Sequence, residues 1–202
     1  MQEFKIRASA SGKIMTDARA KKDLLSQTTI TYVQEWLKER IYKVRKDFGN
    51  KYTQKGIQIE DEAIDKAIEW LDLPFTLKNE TYFEDDFFMG TPDLVLEDEV
   101  IDVKCSWDAF TFPLFENELP TKDYFYQVQV YMHLTGKKKA RVVYLLLNTP
   151  ENIAPYEFKD DYSTLDKKYR IKSFDVAYDA EIIEKMQTRV TDIREYINEL
   201  KF

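Results

Sequence analysis

Asp93, Asp102 and Lys104 stand in "GTPDLVLEDEVIDVKCSW", residues 90 to 107, a stretch whose short apolar runs otherwise read as a buried β-hairpin. Side chains alternate faces along a strand, so Asp102 and Lys104 share one face while Ile101, Val103 and Cys105 share the other. If "PDLVL" and "VIDVK" pair through a two- or four-residue loop around Glu97 and Asp98, Asp93 falls opposite Asp102 and Thr91 opposite Lys104. An odd loop or a bulge breaks that pairing. Two facing carboxylates destabilise a sheet unless a positive charge lies between them. A divalent cation meets that need: Asp93 and Asp102 would share it with waters and a phosphate oxygen, and Lys104 would orient or polarise the attacking water. The same residues also have a bland reading, with Asp93 as a turn residue after Pro92 and "IDVK" as a solvent-facing strand whose charges pair with each other.

Composition narrows the ion. The chain has 202 residues, with Cys105 its one cysteine and His133 its one histidine. That rules out an intramolecular disulfide and any all-cysteine iron–sulfur or zinc site within one chain, and almost excludes a zinc site of cysteine and histidine. A metal here would be held by oxygen, which points to Mg²⁺, with Mn²⁺ as a substitute. The net charge of -7 weakens a nucleic-acid partner without removing it, because an ion-binding carboxylate cluster contributes negative charge that the ions neutralise. The basic bunches "KERIYKVRK" (38 to 46) and "KKKAR" (137 to 141) read first as solvated faces.

The elements that must position these residues follow from periodicity and punctuation. A hydrophobic fraction of 44% and a charged fraction of 33% suit a soluble globular chain, and the length suits one domain over residues 1 to 202. "FKIRASAS" alternates and reads as a strand or an ordered arm. From a cap at Thr28 or Thr29, Ile30, Val33, Trp36, Leu37 and Ile41 recur at helical spacing to about Lys46. A second helix is expected from about Thr53 to Leu71, with Ile59, Ala63, Ala67 and Leu71 as its stripe, Glu60 beside it and Pro74 as its stop. A meander of short strands is expected next, ending in "VIDVKCSW". A lid-like loop follows over residues 107 to 120, then a helix capped by Thr121 and ended by Gly136. "ARVVYLLLN" reads as a buried strand, "YRIKSFDVAY" contains another, and a helix from about Asp179 to Leu200 closes the chain. The order predicts an α/β fold, a mixed central sheet flanked by helices. No run approaches the roughly 20 apolar residues of a membrane span. "MQEFKIRASASGKIM" lacks the apolar core of a secretory signal, so the expected location is cytoplasmic.

Three further segments supply matching parts. "KGIQIEDEAI" (55 to 64) carries Gly56, then Glu60, then Ala63; "YFYQVQVYM" (124 to 132) puts Gln127 and Tyr131 one helical turn apart with Gln129 between them; "FKIRASASGKIM" (4 to 15) is a basic, serine-rich arm. Together with "PD" and "DVK" these resemble the PD-(D/E)XK nuclease superfamily, and more closely the phage lambda-type, or YqaJ-like, recombination exonucleases. No single motif is specific, but their order and spacing together are, over residues 4 to 148.

The resemblance implies a restriction-endonuclease-like core and metal-dependent hydrolysis of DNA phosphodiesters. Glu60, Asp93 and Asp102 match its metal-binding carboxylates, with Asp102 where Glu is commoner, and the backbone carbonyl of Val103 matches a further metal contact. Lys104 matches the motif lysine, and Gln127 and Tyr131 match the helix that abuts the site. Arg7, Ser9 and Ser11 look like a pocket for a 5′-terminal phosphate, which suits charge-assisted hydrogen bonds. Gln129 and Trp107, the latter with Phe110 and Phe112, would contact substrate, the aromatics by stacking on a frayed base. His133 reads as structural, and Cys105 as core by strand parity. The implied activity is a 5′-to-3′ double-strand exonuclease leaving 3′ single strands, with a single-strand annealing protein as partner and a ring-shaped homo-oligomer, commonly a trimer. The rivals are a restriction-type or RecB-like endonuclease, a non-catalytic DNA-binding or scaffold module, and structural ion pairs without metal.

Overall fold

A computed structural model describes residues 3–20, 23–46, 49, 51–73, 75–153 and 160–200. Its elements run β1 (Ile6–Arg7), α1 (Gln27–Tyr42), α2 (Lys51–Gln58), α3 (Glu60–Trp70), β2 (Phe83–Glu84), β3 (Phe88–Gly90), β4 (Leu94–Val95), β5 (Glu99–Cys105), α4 (Lys122–Thr135), β6 (Lys139–Leu145), β7 (Ile171–Ala177) and α5 (Ala180–Glu199).

Local chemistry explains most of the boundaries. Ser26, and not the expected Thr28 or Thr29, caps α1 by accepting from the Thr29 amide at 3.1 Å. Lys43 ends the helix in the left-handed region, short of the expected Lys46, and leaves Ile41 exposed. Thr121 caps α4 by accepting from Asp123, and Gly136 terminates it at φ 73°. Asp179 caps α5 through the amides of Glu181 and Ile182. The serine-rich arm is a strand for two residues only. It then turns into a 3₁₀ segment, Ala8–Lys13, in which the Ser11 hydroxyl donates to the Ala8 carbonyl at 2.7 Å.

The expected helix from Thr53 to Leu71 is instead two, α2 and α3, broken at Ile59, whose φ and ψ of -111° and 13° are not helical. Pro74, expected to stop it, lies outside the described residues. The expected meander is likewise split between two sheets. β3 pairs with β1 in parallel and with β2 antiparallel, whereas β4 pairs antiparallel with β5. Pro92 between them has no N–H to extend a ladder. Gly90, the last residue of β3, lets the Tyr131 ring pack against the backbone, since a Cβ there would fall 2.8 Å from Cε1 of Tyr131.

The larger sheet has the order β4-β5-β6-β7, with β5 and β6 parallel and β6 and β7 antiparallel. It is mixed and covered on both faces, as expected. Val100, Val142 and Tyr144 join the main core with α1, α4 and α5, while Ile101, Val143 and Leu145 pack against Ile59, Ala63, Ile64 and Ala67 of the α3 side. β5, which carries the Asp-Val-Lys triplet, is therefore buried between α4 and α3. Among the described residues, no helix is long and apolar enough to cross a membrane.

Candidate metal centre

The hairpin β4–β5 closes through a two-residue loop, Glu97 and Asp98, with the Leu96 amide donating to the Glu99 carbonyl at 2.8 Å. Leu94 pairs with Ile101 and Val95 with Val100, so one further step brings Asp93 level with Asp102. The ladder stops at Leu94, and Thr91 does not pair with Lys104. Where it stops, the Val103 amide donates to Oδ2 of Asp93 at 2.6 Å. In a strand the N–H and C=O of one residue point to the same side, so the Val103 carbonyl faces this edge as well.

Asp102 is 1% exposed. Its Oδ1 accepts from Nε2 of Gln127 at 3.0 Å, and the same nitrogen lies 3.1 Å from the Tyr131 hydroxyl. Its Oδ2 lies 2.8 Å from Nζ of Lys104 as an ion pair, yet no well-aligned hydrogen bond reaches this buried oxygen. Lys104 also sits over the ring of Tyr124, 4.7 Å from its centroid. Two carboxylates thus meet one ammonium, and the site is short of positive charge. Burial and then the charge of Asp102 push Asp93 up to about 7, against the pull of Lys104 and the Val103 amide. Burial raises Asp102 too, with Lys104 opposing. For Lys104, burial disfavours the charge, but the two carboxylates outweigh it and hold the ammonium above the ordinary lysine range.

These groups open into a cleft of about 750 Å³ whose lining includes Ser9, Glu60, Trp107, Tyr124, Gln127 and Tyr131 as well as Asp93, Asp102, Val103 and Lys104. Glu60 reaches the cleft from the first residue of α3 but is held by Lys78 at 2.8 Å, a lysine that also pairs with Asp61 at 2.6 Å. Asn79 fixes this arm: its amide donates to the Asp93 carbonyl at 2.8 Å and its side chain to the Pro92 carbonyl at 2.9 Å. Among the described residues, no three carboxylate, imidazole or thiol groups converge on one point. Glu60 is a neighbour of the aspartate pair, contributing to the rise of Asp93, and not a third member of a closed cluster.

The other sequence-derived residues separate. Arg7 and Ser9 are exposed and line an adjoining pocket with Lys13, Thr31, Tyr32 and Trp36, and Ser9 borders both hollows. Ser11 is fully buried with its hydroxyl spent on Ala8. Gln129 points away from the cleft: its amide donates to the Ala177 carbonyl at 2.7 Å and accepts from the Asp179 amide at 2.8 Å, bracing α4 against the β7–α5 corner. Trp107 lines the cleft mouth against Tyr52 of α2, Phe112 is buried and Phe110 is exposed. His133 is a brace between Asp85 and Tyr178. Cys105 packs beside the α3-side core by parity but also touches the cleft wall.

Three residues escaped the sequence. Tyr124 and Lys78 act through partners distant in the chain. Lys55 is buried in α2, in a segment where the sequence singled out Gly56, Glu60 and Ala63 instead.

No protein-family model and no curated protein matches the sequence. Solved structures do. A phage related exonuclease from Haemophilus somnus 129PT is similar with a TM-score of 0.84 and 28% identity, over 98% of this chain and 95% of that one. An alkaline exonuclease from Laribacter hongkongensis is similar with a TM-score of 0.69 and 18% identity, over 96% of this chain and 91% of that one. Its complex with dAMP gives the same TM-score at 19% identity. The latter two speak for the fold alone.

Proposed function

We propose that the chain is a metal-dependent deoxyribonuclease of the PD-(D/E)XK type, a 5′-to-3′ double-strand exonuclease that leaves 3′ single strands for recombination with a single-strand annealing protein. The observation that carries the reading is the facing Asp93–Asp102 pair with Lys104 on the same strand face, set in a fold similar over nearly its whole length to a phage related exonuclease. A ring-shaped homo-oligomer, a trimer, belongs to this reading by the same resemblance, as do duplex ends carrying a 5′-phosphate.

The donor set fits Mg²⁺. Asp93, Asp102 and the Val103 carbonyl offer hard oxygens at one strand edge, and the buried Oδ2 of Asp102 is short of donors. Glu60 would complete the set once released from Lys78. Bound there, Mg²⁺ supplies Lewis acidity and charge neutralisation at the scissile phosphate. The chain's own groups do the rest. Gln127, steadied by Tyr131, holds Asp102 in one orientation; the Lys104 ammonium, fixed between Asp102 and the Tyr124 ring, is placed to donate to the attacking water and orient it. Ser9, which borders both hollows, and Arg7 in the adjoining pocket would take a terminal phosphate.

The test is hydrolysis of 5′-phosphorylated linear duplex and of closed circular DNA in Mg²⁺. Wild type should degrade the linear substrate and spare the circle, while Asp102→Ala and Lys104→Ala should lose at least about 100-fold in rate. Cutting of the closed circle would favour an endonuclease. Unchanged hydrolysis in both variants would refute the site, and no hydrolysis by wild type would favour a non-catalytic DNA-binding module.

A further inference from the structure

Lys55 is among the most buried side chains, at 1% exposed, although it is a lysine on a helix that lines the cleft. Its Nζ donates to three main-chain carbonyls: Ser106 at 2.9 Å, Trp107 at 2.8 Å and Leu147 at 2.8 Å. An ammonium has three protons, and these contacts use all of them. Burial lowers the pKa of Lys55, so the chain bears a cost for keeping the charge there. A methionine would fill the same space without that cost. What only the ammonium supplies is the tripod of carbonyl contacts.

The tripod lies at a telling place. Ser106 and Trp107 directly follow β5, which carries Asp102 and Lys104, and Leu147 follows its parallel neighbour β6. On the other side, Lys55 belongs to α2, which ends at Gln58, just before the break at Ile59 and the start of α3 at Glu60. Trp107 meets Tyr52, about one turn before Lys55, edge to face with ring centroids 5.0 Å apart. The ammonium therefore bridges the wall that carries Glu60 and the strand ends that carry the aspartate–lysine triplet.

We infer that Lys55 is a positioning residue that sets the separation of Glu60 from Asp93, Asp102 and Lys104, through its three hydrogen bonds to the carbonyls of Ser106, Trp107 and Leu147. For its effect on catalysis this rests on the nuclease reading; for its effect on metal binding it needs only the carboxylates. Loss of the tripod lets the α2–α3 corner drift, and a Glu60 displaced by an ångström would not complete the metal's ligand set once released from Lys78. Residues that orient metal ligands without touching the metal typically change affinity or activity 10- to 100-fold.

The experiment uses the full chain as wild type, Lys55→Met and Lys55→Gln. Two quantities are read: the Mn²⁺ concentration giving half the maximal rise in melting temperature, and kcat and KM for a 5′-phosphorylated duplex across a Mg²⁺ series. Lys55→Met should fold, need about 10-fold more Mn²⁺ and lose about 10-fold in kcat with KM for DNA unchanged, and Lys55→Gln, with two donors, should fall between. A folded Lys55→Met with wild-type metal requirement and kcat would overturn the inference. So would loss of folding in both variants, which would make the ammonium a requirement of the fold. If wild type shifts with Mn²⁺ but cleaves no DNA, the nuclease reading falls while the Mn²⁺ comparison still decides Lys55. If it does neither, both fall.

Discussion

Gln127 makes the most of one amide: a single nitrogen serves both the buried carboxylate of Asp102 and the hydroxyl of Tyr131. Asp102 receives one aligned hydrogen bond and one ion-pair contact, from Gln127 and Lys104 respectively, and is otherwise desolvated. A hydrogen bond to a charged group contributes about 1.5–3 kcal/mol, so Gln127 supports the carboxylate's ionisation beside Lys104, whose charge opposes the effect of burial. Replacing Gln127 by Leu removes the donor while keeping an apolar side chain of similar size on α4. The charged form of Asp102 loses one of its two supports, keeping Lys104, and its pKa, already raised by burial, rises further. Cleavage at neutral pH should fall at least about 10-fold, and the acid limb of the rate profile should move to higher pH. A variant whose profile keeps its shape and position would show that Gln127 merely packs there. Conversely, Tyr131→Phe should have a milder effect in the same direction, because it leaves the Gln127–Asp102 bond in place.

Along the same helix, Gln129 looks equivalent in sequence and is not. The α4 residues 127 and 129 project from different sides, one into the cleft and the other toward the β7–α5 corner. Gln129→Leu would leave the Ala177 carbonyl and the Asp179 amide without their partner in a part-buried setting, a cost of about 1 kcal/mol, while leaving the metal requirement and kcat at wild-type values. Equal loss of activity in the Gln127 and Gln129 variants would contradict this division. At this scale the sequence was most informative where local chemistry decides. Caps and periodicity placed α4 and α5, and an apolar run placed β6. Strand parity and loop length placed Asp93 level with Asp102, since register in a two-residue hairpin follows from counting. It was silent where partners are remote. "KYTQKGIQIEDEAIDKAIEW" keeps helical character across Ile59 with no proline at the break, so α2 and α3 read as one helix. The ion pair between Lys78 and Glu60, and the tripod around Lys55, join segments whose proximity arises only when the sheet assembles. Glutamine spacing alone could not tell a cleft residue from a brace.

The whole molecule stores a charge imbalance that metal should relieve. Asp93 and Asp102 face each other across β4 and β5 with Lys104 between α4 and the sheet, and burial together with mutual repulsion raises Asp93 from 3.8 to about 7. A carboxylate whose folded pKa lies above its unfolded value binds more protons in the folded state. Stability therefore falls as pH rises from about 4 to about 7, and the penalty is fully present above that. In chelator, the wild type should accordingly lose stability relative to Asp93→Asn as pH is taken from 5 to 8, since the amide has no charge to bury. Allowing for structural relaxation, the difference should reach on the order of 2 kcal/mol, or roughly 4–8 °C in melting temperature. Millimolar Mn²⁺ at pH 8 should then raise the melting temperature of wild type by linkage, and that of Asp93→Asn much less. Parallel pH profiles for the two proteins, with no response to Mn²⁺ in either, would mean that Lys104 alone balances the pair and that the carboxylates serve the fold through ion pairing. A wild-type profile that diverges in chelator and is restored by metal would locate the imbalance at Asp93, where substrate phosphate and ion would meet.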